Sequence, residues 1–542
     1  MKLLRIHIIS AESCGGLLDD FKLNLRDHGE GTTGFSPLCL IGPNGTGKSQ
    51  FLQVLAEIFQ LAWNACCPTE ERIVSNPDLQ FEVEYLIALP NSAKQAHIRM
   101  TRKSNGNRKP TILLERRTED GLKWTVCDIS DAATGLLLPQ KIVAYTSGGN
   151  ETLSLPFLVS RSGYAKDVTE GALKRRAEGR EIPDTRLMLV DYGTHLEVLV
   201  ANLLLGSRAL RAALVKVAPI RDLHSFRCIV QLAHPSYQKM KVFGSKRKGI
   251  QLTDELETYL DCLTRSSTCH SYDERTETYV FDFFIDEQVR SAFSFFWDKT
   301  LRLYSTFHKF SMLNDLAIPK ATRERFKRQT KTRRFASRLA EPQDEEKVFR
   351  FERVCFSPKQ HGEPVDYVSL SDGEHQLAQI LGTMAMTAFA NVLFLLDEPE
   401  SHFNPKWRVE FISQLLDLPT ANGTRRSQNQ AAQQECLLTT HAPFVPSDMR
   451  RENVLIFRKD VDGKIKVSSP NIETFGTTFD SILDDCFDVR PPISKVSREK
   501  IDTLMKSTDS EEIRQGMDAL GNSVEKAFLA DRVQQLTPRK AR

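Results

Sequence analysis

Residues 37–60, PLCLIGPNGTGKSQFLQVLAEIFQ, set an apolar strand-like run, a glycine-rich turn and a helical pattern in immediate succession. Gly42, four residues, then Gly47-Lys48-Ser49 fits G-x-x-x-x-G-K-[ST], and Phe51, Leu52, Val54, Leu55, Ile58 and Phe59 recur at helical spacing behind it. The glycines let backbone N–H groups converge on phosphate oxygens. Lys48 reaches the β- and γ-phosphates, the Ser49 hydroxyl can bind Mg2+, and the helix N-terminus adds its positive dipole. Gly42, Asn44, Gly45, Thr46, Gly47, Lys48, Ser49 and Gln50 are therefore the candidate ATP-binding residues, against the alternative of a structural glycine turn.

The rest of the composition narrows the class without naming it. At 542 residues, 40% hydrophobic and 26% charged, the chain reads as globular, with two or three domains. Its 73 basic and 70 acidic residues leave a net charge of +3, so any attraction to nucleic acid must come from local clusters. Eleven cysteines with no CxxC pair suit a reducing cytoplasm. Cys269 and His270 are adjacent, but no second pair stands at zinc spacing. The start MKLLRIHIIS has no signal-peptide pattern, and no apolar run approaches the ~18 residues of a membrane span, so a cytoplasmic protein with no membrane partner is expected.

The second half of the chain decides among nucleotide-binding classes. In VLFLLDEPE, Val392–Leu396 read as a strand buried on both faces that ends in Asp397-Glu398. Asp397 would serve the Mg2+ shell, and Glu398 would accept a proton from the attacking water or orient it. Upstream, VSLSDGEHQLAQILG opens a helix that should run to about Phe389. Ser371 and Glu374 have capping-box spacing, which is the plain structural alternative there. Downstream, ECLLTTHAP is another strand-like run, ending in His441.

This order of motifs resembles the ABC-type ATPase heads of the SMC and RecF kind, over the N-terminal ~160 residues and roughly 350–460. The resemblance implies an α/β fold in which one ATPase head is assembled from both ends of the chain. Residues 1–160 would carry its Walker A half and 346–470 its signature, Walker B and switch-histidine half. Residues 161–345 would form a mostly helical insertion, and 471–542 a helical tail. It also implies that Ser371, Gly373 and Glu374 contact ATP bound to the other subunit, which requires a homodimer or a higher even oligomer, and that His441 contacts the γ-phosphate in its own subunit. No a/d heptad is sustained, so no long coiled-coil arm is expected, and the ~100 residues after His441 show no Toprim nuclease pattern. PESHFNP, 399–405, resembles the Pro-Glu-x-x-Leu-His-Pro segment of stand-alone bacterial ATPases, with Phe403 and Asn404 in place of the Leu-His pair.

The N-terminal segment, KIVAYTSGGNETLSLPF at 141–157 and NIETFGTTFDSIL at 471–483 together resemble the PtuA family of antiphage defence ATPases, found in Septu systems and in Septu-like retrons. That resemblance implies a separate HNH nuclease subunit as partner and, in a retron, a reverse transcriptase with its DNA–RNA product. A RecF-like repair ATPase and a self-sufficient nuclease with an unrecognised site are the alternatives. Within AYTSGGNE, Ser147, Asn150 or Glu151 could face the γ-phosphate, or the segment could be a Gly-Gly hairpin turn.

Lys320–Arg338 holds nine Lys/Arg against one acid, Glu324. A solvated helix face or linker is one reading. Phosphate-backbone contact through Arg325, Lys327, Arg328, Arg333 and Arg334 is the other, extended by LKRRAEGR at 173–180 and GSKRKG at 244–249.

Overall fold

The computed structural model describes residues 1–26, 34–90, 95–104, 109–118, 121–147, 151–173, 182–183, 185–191, 194–216, 218, 220–233, 247–332, 342–360, 362–420 and 423–537. Strands from both ends of the chain build its central sheet. They are β1 (Leu38–Ile41), β2 (Lys141–Thr146), β3 (Leu187–Val190), β4 (Val392–Asp397), β5 (Glu435–Thr439), β6 (Val454–Lys459) and β7 (Ile465–Ser468). Their order across the sheet is β7-β6-β1-β5-β4-β2-β3. All pairings are parallel except β6 with β7.

Parallel strands covered on both faces carry apolar residues on both, and every residue of β1, β2, β3, β4 and β5 is buried. Alternate side chains feed two cores. Leu38, Leu40, Ile142, Leu393, Leu395 and Leu437 face one. Cys39, Ile41, Val143, Phe394, Leu396 and Leu438 face the other. The first core is closed by α1 (Lys48–Cys66) and by a six-stranded antiparallel sheet containing Lys2–Ser10 and Gln80–Ala88. The second is closed by α3 (His195–Leu205), α4 (Asp372–Met386) and the insertion. In-register pairing places Thr146, Asp397 and Thr439 side by side at the carboxyl edge of the sheet, where β1 also ends. That edge is where open α/β sheets bind their ligands.

The described insertion carries more helix than strand, and part of its sheet is completed by strands beyond residue 345. Helices such as Asp254–Ser266, Glu287–Trp297 and Thr300–Met312 are there, but so is a five-stranded antiparallel sheet that runs Cys269–Asp273, Thr278–Phe284, Ile220–Gln231, Phe349–Pro358, Val365–Asp366. Its long strand, Ile220–Gln231, pairs with Phe349–Pro358, more than a hundred residues away. Long-range pairing of this kind leaves no local period strong enough to read. The division at 160/161 also falls inside α2 (Glu151–Leu173), and β3 of the central sheet lies beyond it.

After β7 the described chain is helical. Lys495–Lys506, Ser510–Asp518 and Val524–Leu536 close a small core of their own around Ile501, Leu504, Ile513, Leu529 and Val533. No long coiled coil is evident among the described residues, whose longest helix is α2, at 23 residues. No described helix is long and apolar enough to cross a membrane.

Candidate active site

Between β1 and α1 the chain turns through three glycines at positive φ: Gly42 at 136°, Gly45 at 76° and Gly47 at 81°. L-residues with a Cβ rarely adopt such backbone. At Gly42 a second constraint applies, because a Cβ there would lie 2.2 Å from the carbonyl oxygen of Phe457. Thr46 Oγ1 donates to the Pro43 carbonyl at 2.8 Å and tightens the loop. Lys48 Nζ donates to the Gly42 and Pro43 carbonyls at 2.8 and 3.1 Å. Burial lowers the Lys48 pKa, against the pull of Glu398 and Asp397. Asn44 and Gly45 are exposed at the loop tip, while Ser49 and Gln50 are half-buried in the first turn of α1.

The two ends of the chain meet at Ser49. Its hydroxyl donates to Asp397 Oδ1 at 3.0 Å, across 348 residues of sequence. Thr439 Oγ1 donates to the same oxygen at 2.7 Å and accepts from the Glu398 N–H at 3.0 Å. Glu398 leaves the strand at φ 48°, left-handed backbone that costs about 1–2 kcal/mol for a residue with a Cβ. Strain of that size tends to be kept where the surroundings fix it for a purpose. Glu398 Oε1 then lies 3.2 Å from His441 Nε2. The hydrogen bond from His441 holds the Glu398 carboxyl below the usual glutamate range, with Lys48 adding to the effect against partial burial. β5 stops at Thr439, so His441 stands two residues past the strand end, half open to solvent with its glutamate partner.

Glu400, in the turn below, is 3% exposed, and its Oε1 accepts from Thr440 Oγ1. Burial pushes its carboxyl up to about 7. Thr440 Oγ1 also accepts from the Ala442 N–H at 3.0 Å. Tandem threonines thus tie the 397–400 turn to the His441 segment. Neither was singled out in the sequence, although two hydroxyl residues between an apolar strand and a histidine were there to be noticed.

The Ser371 segment does form the capping box. Ser371 N–H donates to Glu374 Oε2 at 2.8 Å, and the Glu374 N–H donates to Ser371 Oγ at 3.4 Å. α4 ends at Met386, three residues short of the expected Phe389. Gly373 is needed for close packing, since a Cβ there would lie 2.9 Å from the His402 carbonyl oxygen. Gln376, on the same helix, accepts from the His402 N–H at 3.1 Å. Among the described residues no hydrogen bond joins Ser371, Gly373 or Glu374 to the glycine loop of the same chain. In the 399–405 segment Phe403 is buried, and Asn404 caps the helix Pro405–Leu416 by accepting from the Trp407 N–H at 3.0 Å. These substituted positions have structural work of their own.

The Gly148-Gly149 turn of AYTSGGNE lies outside the described residues, but the elements on either side of it are described. β2 pairs in parallel on both sides and leads into α2, so the segment joins a strand to a helix. The Ser147 carbonyl accepts from His402 Nε2 at 3.1 Å. Asn150 lies outside the described residues, as does the Glu151 side chain. Of the basic run, Lys320–Thr332 is helical, with Arg325 and Arg328 exposed on it. Lys327 sits on the same helix, its side chain outside the described set, and Arg333 and Arg334 lie outside the described residues. The same holds for 174–180 and 244–246. Arg247 is no free phosphate ligand: its guanidinium donates to both oxygens of Glu257, at 2.8 and 2.5 Å. Cys269 and His270 are exposed on an edge strand, and no group of three or more His, Cys, Asp or Glu suited to a metal is present among the described residues.

Residues 289–448 match the family model described as "AAA domain, putative AbiEii toxin, Type IV TA system". The match covers α4, β4, β5 and His441, while the glycine loop lies outside it. No curated protein matches the chain. The match over these residues supports an ATPase-like domain of the AAA/ABC type and, in general terms, an ATPase activity.

Proposed function

We propose that the chain is the ATP-binding and ATP-hydrolysing regulatory subunit of an antiphage defence complex, acting as a dimer or higher even oligomer on a partner HNH nuclease. One observation carries the ATP reading. The Ser49 hydroxyl, at the end of the glycine loop, and the Asp397 carboxylate, from the far half of the chain, are in contact at 3.0 Å. Two oxygen ligands from opposite ends of a chain, beside a lysine held at a phosphate loop, fit Mg2+ with a nucleoside triphosphate.

In this reading Gly42, Asn44, Gly45, Thr46, Gly47 and Gln50 shape the backbone cradle, and Lys48 exchanges its carbonyl partners for β- and γ-phosphate oxygens. Ser49 and Asp397 would hold Mg2+, which supplies positive charge against the phosphates. The hydrogen bond from His441 favours the charged form of Glu398. Glu398 takes the proton of the attacking water as that oxygen bonds to the γ-phosphorus and the bond to the ADP oxygen breaks. Ser371, Gly373 and Glu374 act on ATP held by the other subunit, a role that the exposed Ser371 at the helix start favours, while Gly373 is buried behind it. ATP binding then holds the assembly in the form that restrains the nuclease.

The toxin–antitoxin wording of the matched family is in keeping with a regulated effector, as is the resemblance to PtuA. A retron's reverse transcriptase and its DNA–RNA product join as partners where the gene lies in a retron, and the basic helix Lys320–Thr332, on which Arg325 is exposed, would contact the phosphates.

A mixing experiment tests the shared site. Lys48→Ala chains combined with Ser371→Arg chains form heterodimers with one intact site, so ATPase activity reappears in part. No recovery, with heterodimers confirmed by mass, rejects the sandwiched nucleotide. Co-purification from the native operon tests the partner: an HNH subunit retained with the ATPase supports the regulatory reading, and an ATPase that elutes alone from the co-expressed pair rejects it.

A further inference from the structure

We infer that Thr439 is a positioning residue for hydrolysis, setting both members of the acidic pair through one hydroxyl. The inference rests on reading Asp397 and Glu398 as the acidic pair of an ATPase site. A threonine hydroxyl has one proton and can accept as well as donate. Here the roles are forced. The Asp397 carboxylate can only accept, so the proton goes to its Oδ1 at 2.7 Å. The Glu398 N–H can only donate, so it is received at 3.0 Å on the same hydroxyl oxygen. The hydroxyl has no spare proton for any other partner.

Position makes these two bonds consequential. Thr439 stands opposite Asp397 in the parallel register and is 1% exposed, so water cannot readily replace it. Its branched side chain is stiff about the Cα–Cβ bond. Glu398 is the first residue past the end of β4, and it turns to φ 48°. The bond to Thr439 gives that N–H a buried partner and fixes the peptide plane between Asp397 and Glu398. The plane in turn sets where the Glu398 side chain leaves the backbone, toward His441 at 3.2 Å. Asp397 Oδ1 takes the Ser49 hydroxyl as well, so Ser49, Asp397 and Thr439 form one chain of contacts from the glycine loop to β5.

Thr439→Val keeps the shape and removes the hydroxyl. Loss of a hydrogen bond to a charged group, with an N–H left unpaired, predicts a fall in kcat of about 10- to 100-fold. At saturating Mg2+ the ATP KM should stay within about threefold, because the glycine loop and Lys48 that hold the phosphates are untouched. The Mg2+ concentration for half-maximal rate should rise, a readout that a merely structural threonine would not move. Thr439→Ser keeps the hydroxyl and should restore most of the rate. In a Glu398→Gln background, Thr439→Val should add far less than it costs alone, since residues that act as a unit are not additive.

A Thr439→Val enzyme with wild-type kcat and Mg2+ dependence overturns the assignment, and so does a full multiplicative loss on top of Glu398→Gln. If Val unfolds the protein, Thr439→Ala against Thr439→Ser gives the same comparison, with equal rates as the contradicting result. The two levels of the argument separate cleanly. Wild-type turnover in Glu398→Gln alone removes the acidic-pair reading and Thr439 with it. A slow Glu398→Gln beside a fast Thr439→Val removes Thr439 only.

Discussion

Replacing Glu400 by Gln should make the protein's stability less sensitive to pH, by an amount set by its burial. Glu400 is 3% exposed, its Oε1 accepts from Thr440, and its Oε2 has no hydrogen-bond partner among the described residues. Burial raises its carboxyl from 4.5 to about 7. Between those values the folded protein keeps the proton and the unfolded chain loses it. The folded state then binds more protons, so the contribution of Glu400 to stability is most favourable below 4.5, falls as pH rises through the window and levels off above 7. The full penalty is on the order of 3 kcal/mol. Gln carries no charge at any pH and keeps an acceptor for Thr440. The stability difference between variant and wild type should therefore move in favour of the variant by on the order of 3 kcal/mol from pH 4.5 to pH 8. Glu71 and Glu197, which burial also raises to about 7, are present in both proteins and cancel in the difference. Urea or thermal unfolding of both proteins across this range is the assay. Stability curves that run parallel would refute a Glu400 held neutral by burial.

The glycine loop makes a graded prediction. Gly42→Ala meets both a positive φ and the Phe457 carbonyl, so it should abolish ATP binding and cost more than about 2 kcal/mol, whereas Gly45→Ala has open space around it and should cost about 1–2 kcal/mol for its backbone alone. Thermal unfolding and fluorescent-nucleotide titration check the pair, and equal effects would contradict the geometry. For the basic helix, changing Arg325, Lys327 and Arg328 to Ser should weaken nucleic-acid binding and lower the slope of log K against log salt by about 0.7–0.9 for each phosphate that is no longer neutralised, with basal ATPase activity retained. An unchanged slope would make the helix a solvated face.

Much of the site could be read locally. Strand, glycine turn and helix at 38–66 follow one another without a gap, and the buried strand Val392–Asp397 announces itself by an apolar run that ends in two acids. What joins them could not be read that way. The contact of Ser49 with Asp397 depends on β5 lying between β1 and β4, an order that no local period records. Thr439 and Thr440 escaped notice because a threonine at a strand end is unremarkable until its partner is known. The five-stranded sheet of the insertion was hidden for a related reason: Ile220–Gln231 mixes charged and apolar residues, and its pairing partner Phe349–Pro358 comes only after several helices. Ser371 shows the converse, where the capping reading was visible and is correct as local structure, yet leaves an exposed serine at a helix start.

The central claim is that Glu398, in the frame of Asp397, Thr439 and His441, receives the proton of the water that cleaves ATP. Single-turnover hydrolysis by Glu398→Gln, measured beside equilibrium ATP binding in the presence of Mg2+, tests it most directly. The variant should bind ATP with near wild-type affinity, accumulate as an ATP-bound dimer and hydrolyse at least about a hundredfold more slowly, as expected for the loss of a general base. Hydrolysis at the wild-type rate, with binding intact, would contradict the account.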